Sequence, residues 1–572
     1  MDPLEVFRSE AVRLIKEAAA PVDIEVELET PPFETADLAF PCFQLAKKMR
    51  KAPAVIAEEM VAKMPPSQHI RKIWADKGYI NMRLDEKMLG DLTLSAVLNE
   101  KDTYGNAPSK GVRMLVEHTS VNPTGPIHVG RARNPLIGDT LARALGRCGY
   151  DVTTEYLVND VGKQVVLLTW GVRNLGPGAE DVSEWDKADH RLVGNYKKAN
   201  QLMETDPKVG EEIASMLVRF EKGDPQIVSS VKEVAERMLE GIRQSLATMN
   251  VFIDHYAWES DFILNGSAHA VVNRLKASPY CHEENGAYYL EMAEFGVVGK
   301  NTKFFFTRAD GTTLYTTRDL AYHLDKFSRS DAQINVLGED QKLGQQHLAI
   351  AMKMMGETKA PECVFYAFVS LPEGRMSTRK GVVVYLDDLI EEAIVRAEQE
   401  VEMRRPEISA EKKKEIARVI GSGAIRFNII RVQPEKQLIF KWEEALNFDG
   451  NSAPFVQYAH ARACSILRKA SAEAPRTAAP VDALALADGE RKLIRVLAQF
   501  PTVVKDAGEK RRIHVLPAYG HELAAAFNQF YAACPVLGSG EREATRLDLV
   551  QATRWTLRNV LDTIGITAPE EM

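Results

Sequence analysis

The chain has 572 residues, 45% of them apolar and 27% charged, with a formal net charge of −8. This length exceeds one core and predicts roughly three or four domains. The composition excludes a disordered or fibrous chain. The acidic balance argues against indiscriminate nucleic-acid binding, though not against a local basic surface. The six cysteines, Cys42, Cys148, Cys281, Cys363, Cys464 and Cys534, stand singly without a CxxC pair. That spacing points to a reduced, cytoplasmic setting and to no structural metal.

In chain order, "MDPLEVFRSEAVRLIKEAAA" places Leu4, Phe7, Ala11, Leu14, Ile15 and Ala18 at helical spacing. Charges interrupt it throughout, unlike a signal peptide. No apolar run approaches the roughly 18 residues of a bilayer span, so no membrane association is expected. "VDIEVELETP" reads as a strand, "LAFPCFQLAKKMRKAPAVIAEEMVAKM" as a helix and "GYINMRL" as a strand. Together they make an α+β module over 1–108, closed by a linker, "KDTYGNAPSKG". From Val112 the pattern becomes strand "VRMLVE", a loop, the helix "NPLIGDTLARALGRCGY" and strand "DVTTEYLV", the start of a Rossmann-like, doubly wound α/β domain over 109–395. A polar helical insertion is expected at about 170–250, with "INVLG" and "CVFYAFVSL" as buried strands. From 396 to 572 the periodicity is helical, with "RKASAEAPRTAAPVDALALADGE" a loop and "EKKKE" a solvated face.

The loop between the first α/β strand and its helix, "SVNPTGPIHVGRARN", puts His128, Gly130 and Arg131 at a helix start. Backbone N–H groups and the helix dipole favour a phosphate there. Gly130 admits close approach, and His128 and Arg131 supply donors. Some 250 residues later, "GRMSTRKG" carries Arg375, Met376, Ser377, Thr378, Arg379 and Lys380 without apolar periodicity.

These two stretches resemble the HIGH and KMSKS signatures of class I aminoacyl-tRNA synthetases. "VEHTSVNPTGPIHVGRARN", "EYLVNDVGKQ", "GTTLYTTRDLAY", "FVQYAHARACSILRKA" and "LDTIGITAPEEM" are similar, in the same order, to the arginyl family of archaeal type. The resemblance spans nearly the whole chain. Arg131 stands where HIGH has its second histidine, a mild change because arginine is a permanent, fork-shaped phosphate donor. Arg375, Thr378 and Arg379 depart from KMSKS and remove one ammonium. Arg379, Lys380, Arg113 and Lys110 are all candidates to replace it.

The resemblance implies ATP-dependent attachment of L-arginine to tRNA(Arg) through an arginyl-adenylate, with Mg²⁺ bound alongside ATP. His128, Gly130, Arg131, Met376, Ser377, Arg379 and Lys380 would be catalytic. ATP would meet His128, Gly130, Arg131, Arg375 and Ser377. Arginine would lie among Glu117, Asn122, Glu259, Tyr315, Asp319 and Gln341. The physics agrees, because a planar guanidinium with five donors suits carboxylates and a hydroxyl, and Tyr315 and Asp319, four apart, share a helical face. A lysine substrate would leave acceptors unpaired, so no editing domain is required.

The resemblance also implies that the N-terminal module meets the tRNA elbow through Tyr79 and Asn81. The helical C-terminal region would take the anticodon through Tyr458, His460 and Arg462, an aromatic and basic mixture suited to unpaired bases. The chain is expected to work as a monomer. Glutaminyl, glutamyl and cysteinyl synthetases, a small nucleotidyltransferase and a catalytically inert RNA-binding paralogue are the competing readings.

Overall fold

The computed structural model describes residues 2–31, 35–180, 185–297, 302–370, 384–470, 481 and 486–572. The opening helix, Glu5–Ala19, buries Phe7, Ala11, Leu14, Ile15 and Ala18, as its apolar spacing predicts. Strands β1 (Leu38–Pro41), β2 (Ile70–Asp76) and β3 (Tyr79–Leu84) form an antiparallel sheet with β3 at its centre. Two expectations fail in this module. Residues 22–31 touch the sheet only through a bridge from Glu29 to Ala39. Their alternation buries Ile24 and packs Val26 and Leu28 on the core without a strand partner. The helix expected over the following stretch is instead β1, then helices Leu45–Met49 and Pro53–Lys63. Arg50, at φ 53°, and Pro53, which can start a helix but not continue one, make the break.

The central domain contributes β4 (Arg113–Glu117), β5 (Asp151–Val158) and β6 (His255–Trp258). A small antiparallel sheet follows, β7 (Cys281–Glu284), β8 (Ala287–Glu291) and β9 (Lys303–Phe305). Then come β10 (Ala332–Gly338) and β11 (Glu362–Tyr366). Five of these strands make a parallel sheet in the order β11–β10–β4–β5–β6. Connections leave β4 in one direction and reach β10 in the other, so a crevice opens at the carboxyl ends of β4 and β10. The expected helical insertion lies between β5 and β6, with helices Ala188–Thr205, Pro207–Glu221 and Pro225–Thr248.

Beyond β12 (Val369–Ser370) the described chain is helical, apart from β13 (Leu438–Ile439), which pairs with β12. The helix expected over 490–508 splits into Asp488–Ala498 and Phe500–Glu509, with Pro501 in the first turn of the second. Helix Leu386–Arg404 runs unbroken past residue 395, where the sequence suggested a boundary. Nor is the stretch around Tyr104 a loose linker. Its ring is fully buried and its hydroxyl donates to the Leu497 carbonyl at 2.9 Å. One continuous apolar core therefore includes Phe7, Leu136, Phe427 and Phe527, residues of all three regions.

A buried ion pair ties the regions together. Arg426, on helix Ala410–Ile430, donates to Asp139 on helix Arg133–Arg147, and also to the carbonyls of Ile564 and, at 2.7 Å, Met249. Gly565, at φ +70°, leaves room for that guanidinium, which a Cβ would strike. Asp139→Ala is expected to cost about 3–5 kcal/mol, because it strands a buried guanidinium. A lowered urea midpoint at unchanged m-value would register the loss.

Candidate active site

Glu117 is the last residue of β4, and the chain leaving it turns sharply. Thr119 and Ser120 both take left-handed backbone, at φ 71° and 39°. Such strain in a β-branched residue costs on the order of 1–3 kcal/mol and persists only where neighbours hold it. Asn134 does the holding: its Oδ1 accepts the Thr119 N–H at 2.8 Å, and its Nδ2 donates to the Val336 carbonyl at 3.0 Å. The motif asparagine thus stitches the exit of β4 to β10 across the crevice. Helix Arg133–Arg147 seats closely here, since a Cβ on Gly138 would lie 2.2 Å from the His118 ring.

His128 caps the turn Val129–Arg131 that precedes this helix, and its Nδ1 accepts the Gly130 N–H at 3.1 Å. Burial, reinforced by Arg131, holds His128 below the usual imidazole range. The neutral ring then carries its proton on Nε2, as a donor. Arg131 is exposed and lines the crevice. Arg133 is fully buried without a carboxylate. It donates instead to the carbonyls of Ala367, Val432, Gln433, Pro434 and Lys436 at 2.7–3.1 Å, and burial lowers its pKa to about 10.

The second basic motif, Arg375, Met376, Ser377, Thr378, Arg379 and Lys380, lies outside the described residues. Both flanks of that segment meet the first motif. The Val129 N–H donates to the Val384 carbonyl at 3.0 Å, and the Leu386 N–H to the Ile127 carbonyl at 2.7 Å. On the other flank, β12 packs on the Val129–Arg131 turn. Two of the candidate substitutes for the missing ammonium are paired elsewhere. Arg113 opens β4, at the opposite end from Glu117, and pairs with Asp331 at 2.8 Å. Lys110 is held by Glu509.

The crevice is a cleft of about 260 Å³ lined by all six expected residues, Glu117, Asn122, Glu259, Tyr315, Asp319 and Gln341. Neither buried carboxylate is bare. Lys326 Nζ donates to Glu117 at 2.7 Å, and Arg318 Nε to Glu259 at 2.5 Å. With the Asn159 amide turned so that its nitrogen donates, Glu259 Oε2 accepts a second bond at 2.8 Å. Burial still pushes Glu259 above the usual carboxylate range, and Arg318 opposes it. Tyr315 is 68% exposed at the rim. Arg318, His323 and Lys326 escaped the sequence reading, although the stripe Tyr315, Asp319, Tyr322/His323, Lys326 extends the spacing that flagged its first two members.

Sequence and fold comparisons place this cleft in a known context. Residues 93–442 match the catalytic domain of class I (R) tRNA synthetases, residues 6–84 the N-terminal domain of arginyl-tRNA synthetase, and residues 456–572 the DALR anticodon binding domain. The chain belongs to the arginyl-tRNA synthetase family. It is 47% identical to an arginine–tRNA ligase of Methanocella arvoryzae, over 98% of this chain and 99% of that protein. It is 39% identical to that of Methanocaldococcus jannaschii, over 97% of each. The Thermus thermophilus arginyl-tRNA synthetase superposes with a TM-score of 0.84 at 30% identity, covering 100% of both chains.

At the DALR region of this synthetase, a groove of about 800 Å³ is lined by Arg405 from outside the match and, within it, by Tyr458, Arg462, Arg468, Lys469 and Tyr531, with Glu570 and Glu571 also at its wall. The Arg462 guanidinium stands 4.7 Å from the Tyr458 ring centre and 5.6 Å from that of Tyr531, both rings exposed. Tyr531 is a neighbour the sequence reading missed. His460 must be corrected. It is 2% exposed, its Nδ1 bonds the Pro569 carbonyl at 2.8 Å, and burial lowers it to about 4. Two residues from Tyr458, it lies on the opposite side of the helix.

In the N-terminal domain, Asn81 is likewise 4% exposed, between Ala39 and Trp74 in the central strand. The burial places it among the module's packing residues and not on its surface. Tyr79, half-buried at the strand end, packs edge-on to the exposed Phe43 at 5.2 Å. Tyr458→Ala and Arg462→Ala are expected to weaken tRNA binding about 10-fold or more, the value of a base-stacking contact. His460→Gln should leave tRNA affinity unchanged and act on stability, and filter binding with thermal denaturation separates the two effects.

Proposed function

We propose that this protein attaches L-arginine to tRNA(Arg) in two steps, using ATP. The observation that supports this most directly is the convergence of Glu117, Asn122, Glu259, Tyr315, Asp319 and Gln341 on one cleft beside the His128–Arg131 turn. A carboxylate oxygen of arginine attacks the α-phosphate of ATP, the bond to the β-phosphate oxygen breaks, and pyrophosphate leaves. The 2′-hydroxyl oxygen of the terminal tRNA adenosine then attacks the arginyl carbonyl carbon, and AMP leaves. No protein nucleophile is required. The protein orients the reactants and offers donors where phosphate charge grows. His128 Nε2 and the Arg131 guanidinium are those donors among the described residues. The flanks of the 375–381 segment reach the same turn, so its basic residues belong to the same task.

ATP enters as its magnesium complex, in which the ion neutralises charge on the departing pyrophosphate. Mg²⁺ is commonly held by substrate phosphates, water and one or two carboxylates. That suits this cleft, where Glu117 and Glu259 already carry internal cations and the exposed Asp340 lies at the wall. The cluster Asp189, His190 and Asp387 is occupied by Lys187, whose Nζ is 2.7 Å from Asp387. The six expected cleft residues lie on this chain, and we take the working enzyme to be a monomer. A cytoplasmic location fits tRNA charging, and none of the described helices is long and apolar enough to cross a membrane.

ATP–pyrophosphate exchange with each amino acid, with and without tRNA, tests this function. Exchange is expected with arginine alone, and only with tRNA present. Exchange with another amino acid would reassign the substrate, and none under any condition would favour an inert RNA-binding protein. Arg131→Ala should slow exchange by about 10- to 1,000-fold, as loss of a transition-state donor does, while Arg131→His is tolerated. An unaltered rate in the alanine variant would remove the phosphate role.

A further inference from the structure

Three carboxylates line the inner cleft, and their electrical partners differ. Glu117 is cancelled by Lys326, and Glu259 by Arg318, both cations buried. Asp319 faces an imidazole: His323 Nδ1 stands 2.8 Å from its backbone carbonyl and 3.1 Å from its carboxylate Oδ1. Whether Asp319 keeps a net negative charge therefore depends on how His323 is protonated.

The surrounding hydrogen bonds decide that question. Lys326 Nζ lies 2.8 Å from Asn335 Oδ1. A lysine ammonium only donates, so the amide oxygen of Asn335 must face it and the amide nitrogen must face away. That nitrogen is 2.8 Å from His323 Nε2. An amide nitrogen only donates, so Nε2 must accept and carry no proton. The ring is then neutral, with its one hydrogen on Nδ1, directed at Asp319. Glu117, Lys326, Asn335 and His323 are 6%, 0%, 1% and 1% exposed, so the links run between side chains shielded from bulk water. The charged and polar groups around the ring are Asp319 on its own helix, Lys326 and Glu117 beyond Asn335, the Tyr322 ring, and Gln345, whose Oε1 also accepts from Asn335 at 3.4 Å.

We propose that Asn335, oriented by Lys326, is a positioning residue that locks His323 in its neutral Nδ1–H form and so keeps Asp319 the uncompensated charge of the inner cleft. Asp319 then selects a cationic side chain, while Glu259, already neutralised by Arg318, contributes hydrogen-bond acceptors and orientation. Arg131 and Asp340 also line the cleft, but both are more exposed than Asp319, whose side chain is 31% exposed, so solvent screens them further. The cation selected is the arginine guanidinium, and this step rests on the function proposed above.

Asn335→Asp tests the idea with a near-isosteric change. A carboxylate at that position accepts from His323 Nε2, draws a second proton onto the ring and sets a cation against Asp319. In tRNA-dependent exchange the KM for arginine should rise on the order of 10- to 100-fold, the value of a bond to a charged group. The KM for ATP should stay within about 2-fold, a change too small to register as a lost contact. Raising the pH should restore the arginine KM as the ring loses its added proton. Nitrogen-15 NMR of histidine side chains in the unmodified enzyme, with the His323 signal identified by its loss in His323→Gln, should show the Nδ1–H form. An Nε2–H or doubly protonated ring would overturn the proposal, as would an unchanged arginine KM or equal losses for arginine and ATP in Asn335→Asp. The NMR result stands even where Asn335→Asp does not fold. Failure of the unmodified enzyme to exchange with arginine would instead defeat the proposed function and leave the ring assignment intact.

Discussion

A buried ammonium, that of Lys326, sits at the point where the parallel sheet changes winding direction. It bridges Glu117 on β4 and Asn335 on β10, which are direct neighbours in register. Two strands whose connections depart in opposite directions leave a crevice between them, and a crevice alone specifies no ligand. A polar row across its floor does, once its charges are set. Lys326 neutralises Glu117, orients Asn335 and determines which carboxylate of the cleft remains charged. An ion pair of this kind contributes little net stability, because desolvation offsets the attraction, but it imposes one arrangement on everything around it.

The turn from His128 to Arg131 at the cleft's other side is built by a different device. Arg133 and Asn134 follow that turn closely in sequence, yet each reaches structure far along the chain. Asn134 joins the strained turn after Glu117 to β10, and Arg133 gathers carbonyls from 367 and from 432–436. The turn carrying His128 and Arg131 is thereby fixed to both strands of the crevice and to the start of the helical region. Arg426, through Asp139, fixes the far side of the same helix to the chain's C-terminal helix. The His128–Arg131 turn is thus continuous, through buried polar contacts, with the region that carries the exposed Tyr458–Arg462–Tyr531 cluster.

Much of this was legible from residues alone. The β–loop–α–β start and the helical C-terminal region follow from local periodicity, because local backbone preference and apolar spacing are properties of short segments, while the six cleft residues came from the family resemblance. His460 and Asn81 were carried over from the resemblance as tRNA contacts, and both are packed inside. Matching a motif position does not say which way a side chain faces until its neighbours are known. The strand expected at 22–31 failed similarly, since alternation records burial and does not name a pairing partner.

The sequence by itself determined the fold class and, through its resemblance, the family and six of the residues that line the cleft. Only the tertiary structure decided their charge states and partners. Arg318 on Glu259, Lys326 on Glu117, and the Asn335–His323 bond that leaves Asp319 uncompensated all join residues 12 to 209 positions apart. Their energies depend on distance and on the exclusion of water, and neither quantity exists until the helix from 315 to 329 has been laid against the carboxyl ends of β4 and β10.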